Sequence, residues 1–290
     1  MRRIEAEAYM RERFHEQEAW RKSHCSTSSN NVCAGGHAAT LSSLMRCVRC
    51  VAAQENVTAL AHGLRAARRA DSLWLEFGAW SGRTARLIRD ASFERVSEVR
   101  PESNPGVHSF DSFQGLPEDW RIDPLNRSWA RKQFLSRGSF SRRGRPPFFE
   151  SGIHWHVGWF NATLPAFLET HRTPISFVHI DCDLYSSTAS VLEALEPRLT
   201  DDAVLALDEL INYPEYREHE ARALVEFLRR TGRGYRILGV GPSLILPNET
   251  DILHTLMLAR HFPVESRMPF GPGSHSNEDV AIQLMGRGVR

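Results

Sequence analysis

Two short apolar runs, each ending on acids, constrain this chain most: Phe177-Val-His-Ile-Asp-Cys-Asp183, then Ala203-Val-Leu-Ala-Leu-Asp-Glu209. Neither run alternates apolar with polar residues. A strand of that kind is buried on both faces, which is the condition of a parallel strand covered by helices above and below. The runs stand about one βαβ step apart, so they read as successive strands of one sheet. In an open parallel sheet, ligands bind at the carboxyl ends of the strands. Asp181, Asp183, Asp208 and Glu209 therefore gather on one rim, and a rim of carboxylates is unfavourable unless a cation sits among them.

The rest of the chain extends this alternation. Strands are expected at 72–77, 107–110, 154–159, 175–180, 203–207, 235–240 and 280–284, and helices at 83–90, 163–170, 187–199 and 215–230. This is an α/β chain with helices on both faces of a mostly parallel sheet. Residues 1–42 read as a charged, flexible N-terminal extension, helix-favouring to 23 and linker-like from 24. Residues 43–290 read as a single domain, whose first helices lie within 43–70. Two segments interrupt the alternation. Residues 119–150 hold eight Lys or Arg and read as a solvated loop or a lid. Residues 242–279, which contain Pro, Gly and His, read as a second insert.

A net charge of +1 gives no general attraction to nucleic acid or anionic membrane. No apolar run is long enough to span a bilayer, and residues 1–20 lack a signal-peptide core, so a cytoplasmic protein is expected. Five cysteines are an odd number for a disulfide scaffold. Cys47-Val-Arg-Cys50, with Cys25 and Cys33 upstream, admits a zinc site. The wide spacing of the first pair and the helical context of the second weigh against it.

The segment Glu76-Phe-Gly78-Ala-Trp-Ser-Gly82-Arg-Thr84 follows the first strand and opens a helix. It lacks the G-x-G-x-x-G of a dinucleotide loop, and Glu76 repels phosphate. S-adenosylmethionine, which has a sulfonium, an ammonium and one carboxylate, suits this loop better. Glu76, Gly78, Ala79, Gly82 and Thr84 are its expected contacts. Asp111, at the end of the next strand with Ser112 beside it, suits a ribose diol, since a carboxylate accepts from two hydroxyls. Trp159 and Phe160 suit an adenine, or core packing. An ordinary strand–helix turn is the plainer reading of the glycines.

In order along the chain, Glu76–Gly82, Phe110–Glu118, Gly158–Pro165, Asp181–Thr188 and Asp208-Glu209 resemble the motifs of class I S-adenosylmethionine-dependent methyltransferases, and within them the macrocin O-methyltransferase family. The resemblance spans residues 70–241 and fits less sharply at 280–284. It implies a Rossmann-like class I fold, a seven-stranded sheet with the last strand antiparallel. It also implies a bound S-adenosylmethionine, a magnesium ion (Mg2+), and O-methylation of a hydroxylated small molecule such as a sugar. Asp181, Asp208 and Glu209 become the metal ligands, with Asp181 also near the donor. Asp181 and Asp183 become the catalytic acids, although Asp183 equally suits a cap on the following helix. The N-terminal 70 residues and the 242–279 insert have no counterpart in the pattern, and Leu210 stands where the family often has an aromatic after the acidic pair. A metal-independent methyltransferase and a donor-binding, non-catalytic protein are the competing readings. Partners are a small-molecule acceptor, with no nucleic acid and no membrane. A homo-oligomer is compatible with the sequence.

Overall fold

A computed structural model describes residues 2–25, 34–35, 39–51, 58–67, 71–97, 106–120, 135–241, 245–246, 251–252 and 279–287. Its centre is the sheet that the apolar runs demand. β2 (Leu73–Phe77), β5 (Ile175–Ile180) and β6 (Leu199–Leu207) lie side by side and parallel. β2 and β5 are buried along their whole length, and β6 is buried from Ala203 to Leu207. β3 (Val107–Asp111) and β4 (Ile153–Val157) extend the parallel sheet beyond β2. On the other side, β8 (Val280–Arg287) inserts antiparallel between β6 and β7 (Arg233–Val240). This gives the expected seven strands in the order β7-β8-β6-β5-β2-β3-β4. An eighth, two-residue strand, β1 (Ala34–Gly35), pairs with β7 in a stretch expected to be a linker.

Helices α4 (Arg83–Ser97), α5 (Phe160–Thr170), α6 (Tyr185–Leu195) and α7 (Glu220–Thr231) follow the strands in alternation. α7 shows why such a segment is helical. Its buried Ala221, Leu224, Val225 and Leu228 recur every three or four residues and face the core. It stops at Gly232, whose φ of 67° is the left-handed C-terminal turn that glycine adopts without strain. α2 (Leu41–Val51) and α3 (Ala59–Ala66) stand where helices are expected. The strand expected at 154–159 ends earlier, and α5 begins at Phe160, because Gly158 takes a φ of 148° and ends the extended run.

α1 (Arg2–His24), assigned to the extension, packs against the chain beyond β7. Tyr9 donates to Asp251 at 3.0 Å, and the Gln17 side chain accepts from the Ile245 N–H at 2.7 Å. The cysteine reading is corrected. Cys25 and Cys50 form a disulfide that joins the end of α1 to α2, with Cα atoms 5.7 Å apart, and Cys47 is disulfide-bonded as well. The folded ends of α1 and α2 meet, which spacing along the chain could not reveal. Among the described residues Cys182 is free, and no helix is long and apolar enough to cross a membrane.

Of the basic segment, 121–134 lies outside the described residues. Residues 135–150 are held down beside the glycine loop. Trp120 and Leu135 exchange backbone hydrogen bonds, the Arg142 and Gly144 N–H groups donate to the Phe113 carbonyl, and Glu150 pairs with Arg86 and Arg89. Most of the 242–279 insert also lies outside the described residues.

Candidate active site

The glycine loop begins where β2 leaves the sheet. Gly78 has a φ of 85°, and its N–H donates to the Phe110 carbonyl at 3.0 Å. A Cβ built there would lie 1.6 Å from the Asp181 carbonyl oxygen, so only glycine fits both the turn and the approach of β5. The next two N–H groups, of Ala79 and Trp80, donate to Asp111 Oδ2 at 3.0 and 2.8 Å. Asp111 Oδ1 accepts from the Phe113 N–H at 2.6 Å. Asp111 thus clamps the loop to the end of β3 in addition to facing the cavity. Burial raises its pKa, and the three backbone donors oppose that shift. Gly82, with φ 73°, lets Phe148 and Pro147 lie against the start of α4, since a Cβ would fall 2.6 Å from the Phe148 ring.

The acidic rim forms because β5 and β6 pair in parallel with Ile180 opposite Leu207, so the residues after each strand emerge together. The Asp181 N–H donates to the Phe77 carbonyl and the Asp208 N–H to the Ile180 carbonyl, both at 2.9 Å. Asp183 has a φ of 63°, an uncommon conformation for a non-glycine residue, and is buried. It is not the helix cap: Leu184 precedes α6, without a side-chain capping bond. Asp181 and Glu209 have pKa values raised well above the ordinary carboxylate range. Burial is the main cause for both, followed for Asp181 by the Asp208 charge and for Glu209 by the Asp183 charge. The Glu209 Oε2 atom is buried without a hydrogen-bond partner.

The four carboxylates do not form the single trio expected. Asp181, Asp183 and Glu209 offer oxygens within 4.8 Å of one another, and so do His179, Asp181 and Asp208, with Asp181 common to both sets. Oxygen donors around an orphaned, desolvated carboxylate fit a hard divalent ion such as magnesium. Two residues of this neighbourhood escaped the sequence reading. His179 sits inside the apolar β5 run, one pleat before Asp181. Glu220 opens α7 and is fully buried. Its Oε2 accepts from the Glu209 N–H at 3.3 Å, and its pKa is raised well above normal, by burial first and by the Asp183 charge next. An acid in the first turn of a helix was the available signal for Glu220, though a commonplace one.

Both features open into one cavity of about 660 Å³. Gly78, Ala79 and Thr84 line it from the loop and α4, and Asp111 and Ser112 from β3. Trp159 and Phe160 line it from the start of α5, and Asp181, Asp183, Asp208 and Glu209 from the rim. Phe160 stands edge-on to Phe77, with centroids 5.3 Å apart, while Trp159 is exposed at the mouth. Trp80 and Phe140 meet edge to face across another part of the mouth. Glu76 and Gly82 are not on the cavity wall. Glu76 lies beneath the loop, fully buried, accepting from Ser109 Oγ at 2.7 Å with His179 Nδ1 at 3.4 Å.

A family model described as a methyltransferase domain matches residues 75–210, just under half of the chain and the whole span from β2 to the acidic rim. The sheet order and its covering helices are those of the Rossmann-like class I methyltransferase fold. It is 28% identical over 145 residues to the 8-demethyl-8-(2,3-dimethoxy-α-L-rhamnosyl)-tetracenomycin-C 4′-O-methyltransferase of Streptomyces olivaceus, a match covering 47% of this chain and 51% of that protein. The chain thus spans about half the length of this curated relative. Among solved structures it is similar to the calicheamicin methyltransferase CalS11, at 23% identity and a TM-score of 0.43, covering 58% of this chain and 68% of that one. It is similar also to the O-methyltransferase NovP, at 23% identity and a TM-score of 0.41, covering 59% and 71%.

Proposed function

We propose that this chain is an S-adenosylmethionine-dependent O-methyltransferase that methylates a hydroxyl of a small molecule, a sugar or other natural product, with the help of a magnesium ion. One observation carries the reading: the glycine loop and the carboxylates ending β5 and β6 open into the same cavity. A donor site and a proton-removing site then share one wall, as methyl transfer to a hydroxyl requires. The name of the tetracenomycin relative specifies a 4′-O position on a rhamnosyl unit, which supports a sugar hydroxyl as acceptor. The narrower resemblance to macrocin O-methyltransferases rests on the five sequence motifs.

In this reading Gly78 and Ala79 present backbone to the donor, Asp111 and Ser112 take its ribose, and Trp159 and Phe160 flank its adenine. Glu76 acts from below the loop, and Gly82 and Thr84 set the start of α4. Asp181, common to both close sets of ligand atoms, would hold the magnesium ion with Asp208 from one set and Glu209 from the other, and the ion when bound would supply Lewis acidity to an acceptor hydroxyl. Asp183, on the same rim, receives the hydroxyl proton on its carboxylate. Calorimetric titration with S-adenosylmethionine and S-adenosylhomocysteine tests the donor assignment, followed by donor-consumption assays over hydroxylated glycosides. One-site binding and methylated product are expected. Absence of binding to the wild type overturns the reading.

A further inference from the structure

We propose that His108, His154 and His156, with His171 closing the set, form a binding site for a borderline divalent transition-metal ion of the zinc class, separate from the acidic rim. The placement follows from strand geometry. Side chains two apart on a strand share a face, so His154 and His156 of β4 project together. β3 pairs with β4 in parallel, with His108 opposite His154 and Phe110 opposite His156, which puts His108 on the same face. α5 covers this face, and His171, directly after its last turn, meets His108 with ring centroids 5.0 Å apart.

The nitrogens of one pair are close enough to chelate. His108 Nδ1 and His156 Nε2 are 3.0 Å apart. Two nitrogens each about 2.1 Å from one zinc ion stand roughly 3.0–3.4 Å apart. In the metal-free arrangement the pair shares one N–H. A tautomer shift and a small ring rotation aim both lone pairs at an ion without releasing a proton. His154, exposed and stacked on His108 with centroids 4.8 Å apart, turns about its side-chain torsions to supply the third nitrogen and marks the path of entry. His171 engages the Phe167 carbonyl and the Thr170 hydroxyl through Nδ1, leaving Nε2 as the ligating atom. All-imidazole donors favour zinc, copper or nickel over magnesium. Burial, then the neighbouring imidazoles, lower His108 to a pKa of about 3 and His156 to about 4, so both are neutral and ready to ligate at pH 7. Bound metal would pin edge strand β4 and α5 to β3, next to the cavity wall at Trp159 and Phe160.

The test uses tag-free full-length protein, with zinc added in calorimetry and cobalt followed by its visible absorption band. The expected result is one tight zinc isotherm and a cobalt band typical of imidazole ligation. Both should survive Asp208→Asn, which alters the acidic rim. His154→Ala should weaken zinc by more than the roughly 10- to 100-fold that loss of an outer-shell partner brings. Its exposed position keeps the variant folded, and unchanged circular dichroism checks this. A zinc isotherm absent from the wild type, unaffected by His154→Ala, or abolished by Asp208→Asn instead, overturns the proposal.

Discussion

Asp111 joins the site to the stability of the fold, and replacing it with alanine reads both. Its carboxylate accepts three backbone N–H groups, from Ala79, Trp80 and Phe113, at 3.0, 2.8 and 2.6 Å. A hydrogen bond to a charged group contributes about 1.5–3 kcal/mol. Three such bonds would give roughly 5–9 kcal/mol if they simply added. They do not act unopposed, because burial raises the Asp111 pKa and so disfavours the charged form that accepts them. In the variant, the donors nearest the cavity also find water. A net loss of about 2–4 kcal/mol is therefore expected from Asp111→Ala, read as a lower urea midpoint at unchanged slope. Asp111→Asn keeps one carbonyl oxygen and should lose about half as much. Donor binding should weaken by roughly 1–3 kcal/mol beyond what the stability loss accounts for, measured at low temperature where both variants are folded. A midpoint within about 0.5 kcal/mol of wild type would refute the clamp. Equal calorimetric affinity for S-adenosylmethionine would refute the ribose assignment separately.

Gly78→Ala should fail to give stable protein, because its Cβ meets the Asp181 carbonyl at 1.6 Å and its φ is 85°; soluble protein with wild-type melting would contradict this. The His108 imidazole has a folded pKa of about 3 against an ordinary 6.5, so the folded state binds fewer protons than the unfolded one. Its contribution is whole above pH 6.5 and is lost as pH falls. About 2 kcal/mol should be gone by pH 5 in urea melts, and His108→Phe should flatten that slope. Reduction should lower the melting temperature, since closing the 25-residue separation of Cys25 and Cys50 contributes about 3.5 kcal/mol; identical melts with and without reductant would count against the bond.

The sheet was legible because buried parallel strands leave continuous apolar runs, and β2, β5 and β6 lie where those runs stand. The acids after β5 and β6 were legible for the same reason, since strand ends in such a sheet face one crevice. What escaped depends on contacts far apart in sequence. Glu220 meets Glu209 only because α7 starts beneath the rim. His108 meets His154 and His156 only through the β3–β4 register. Cys25 reaches Cys50 only once α1 has packed. Glu76 read as a cavity residue because it adjoins the glycines, yet strand parity turns it inward to Ser109 and His179. β1 has two residues, too few for any periodic signal.

The most direct measurement is methyl-transfer turnover and S-adenosylmethionine affinity, taken together, for wild type and Asp208→Asn with magnesium and with chelator. Asp208 ends β6, two strands away from the β2 loop proposed to hold the donor, so the two readouts should separate. The expected result is near-equal donor affinity in all four conditions, with turnover confined to wild type plus magnesium. Full turnover in chelator, with Asp208→Asn also active, would contradict metal-assisted methylation at this rim.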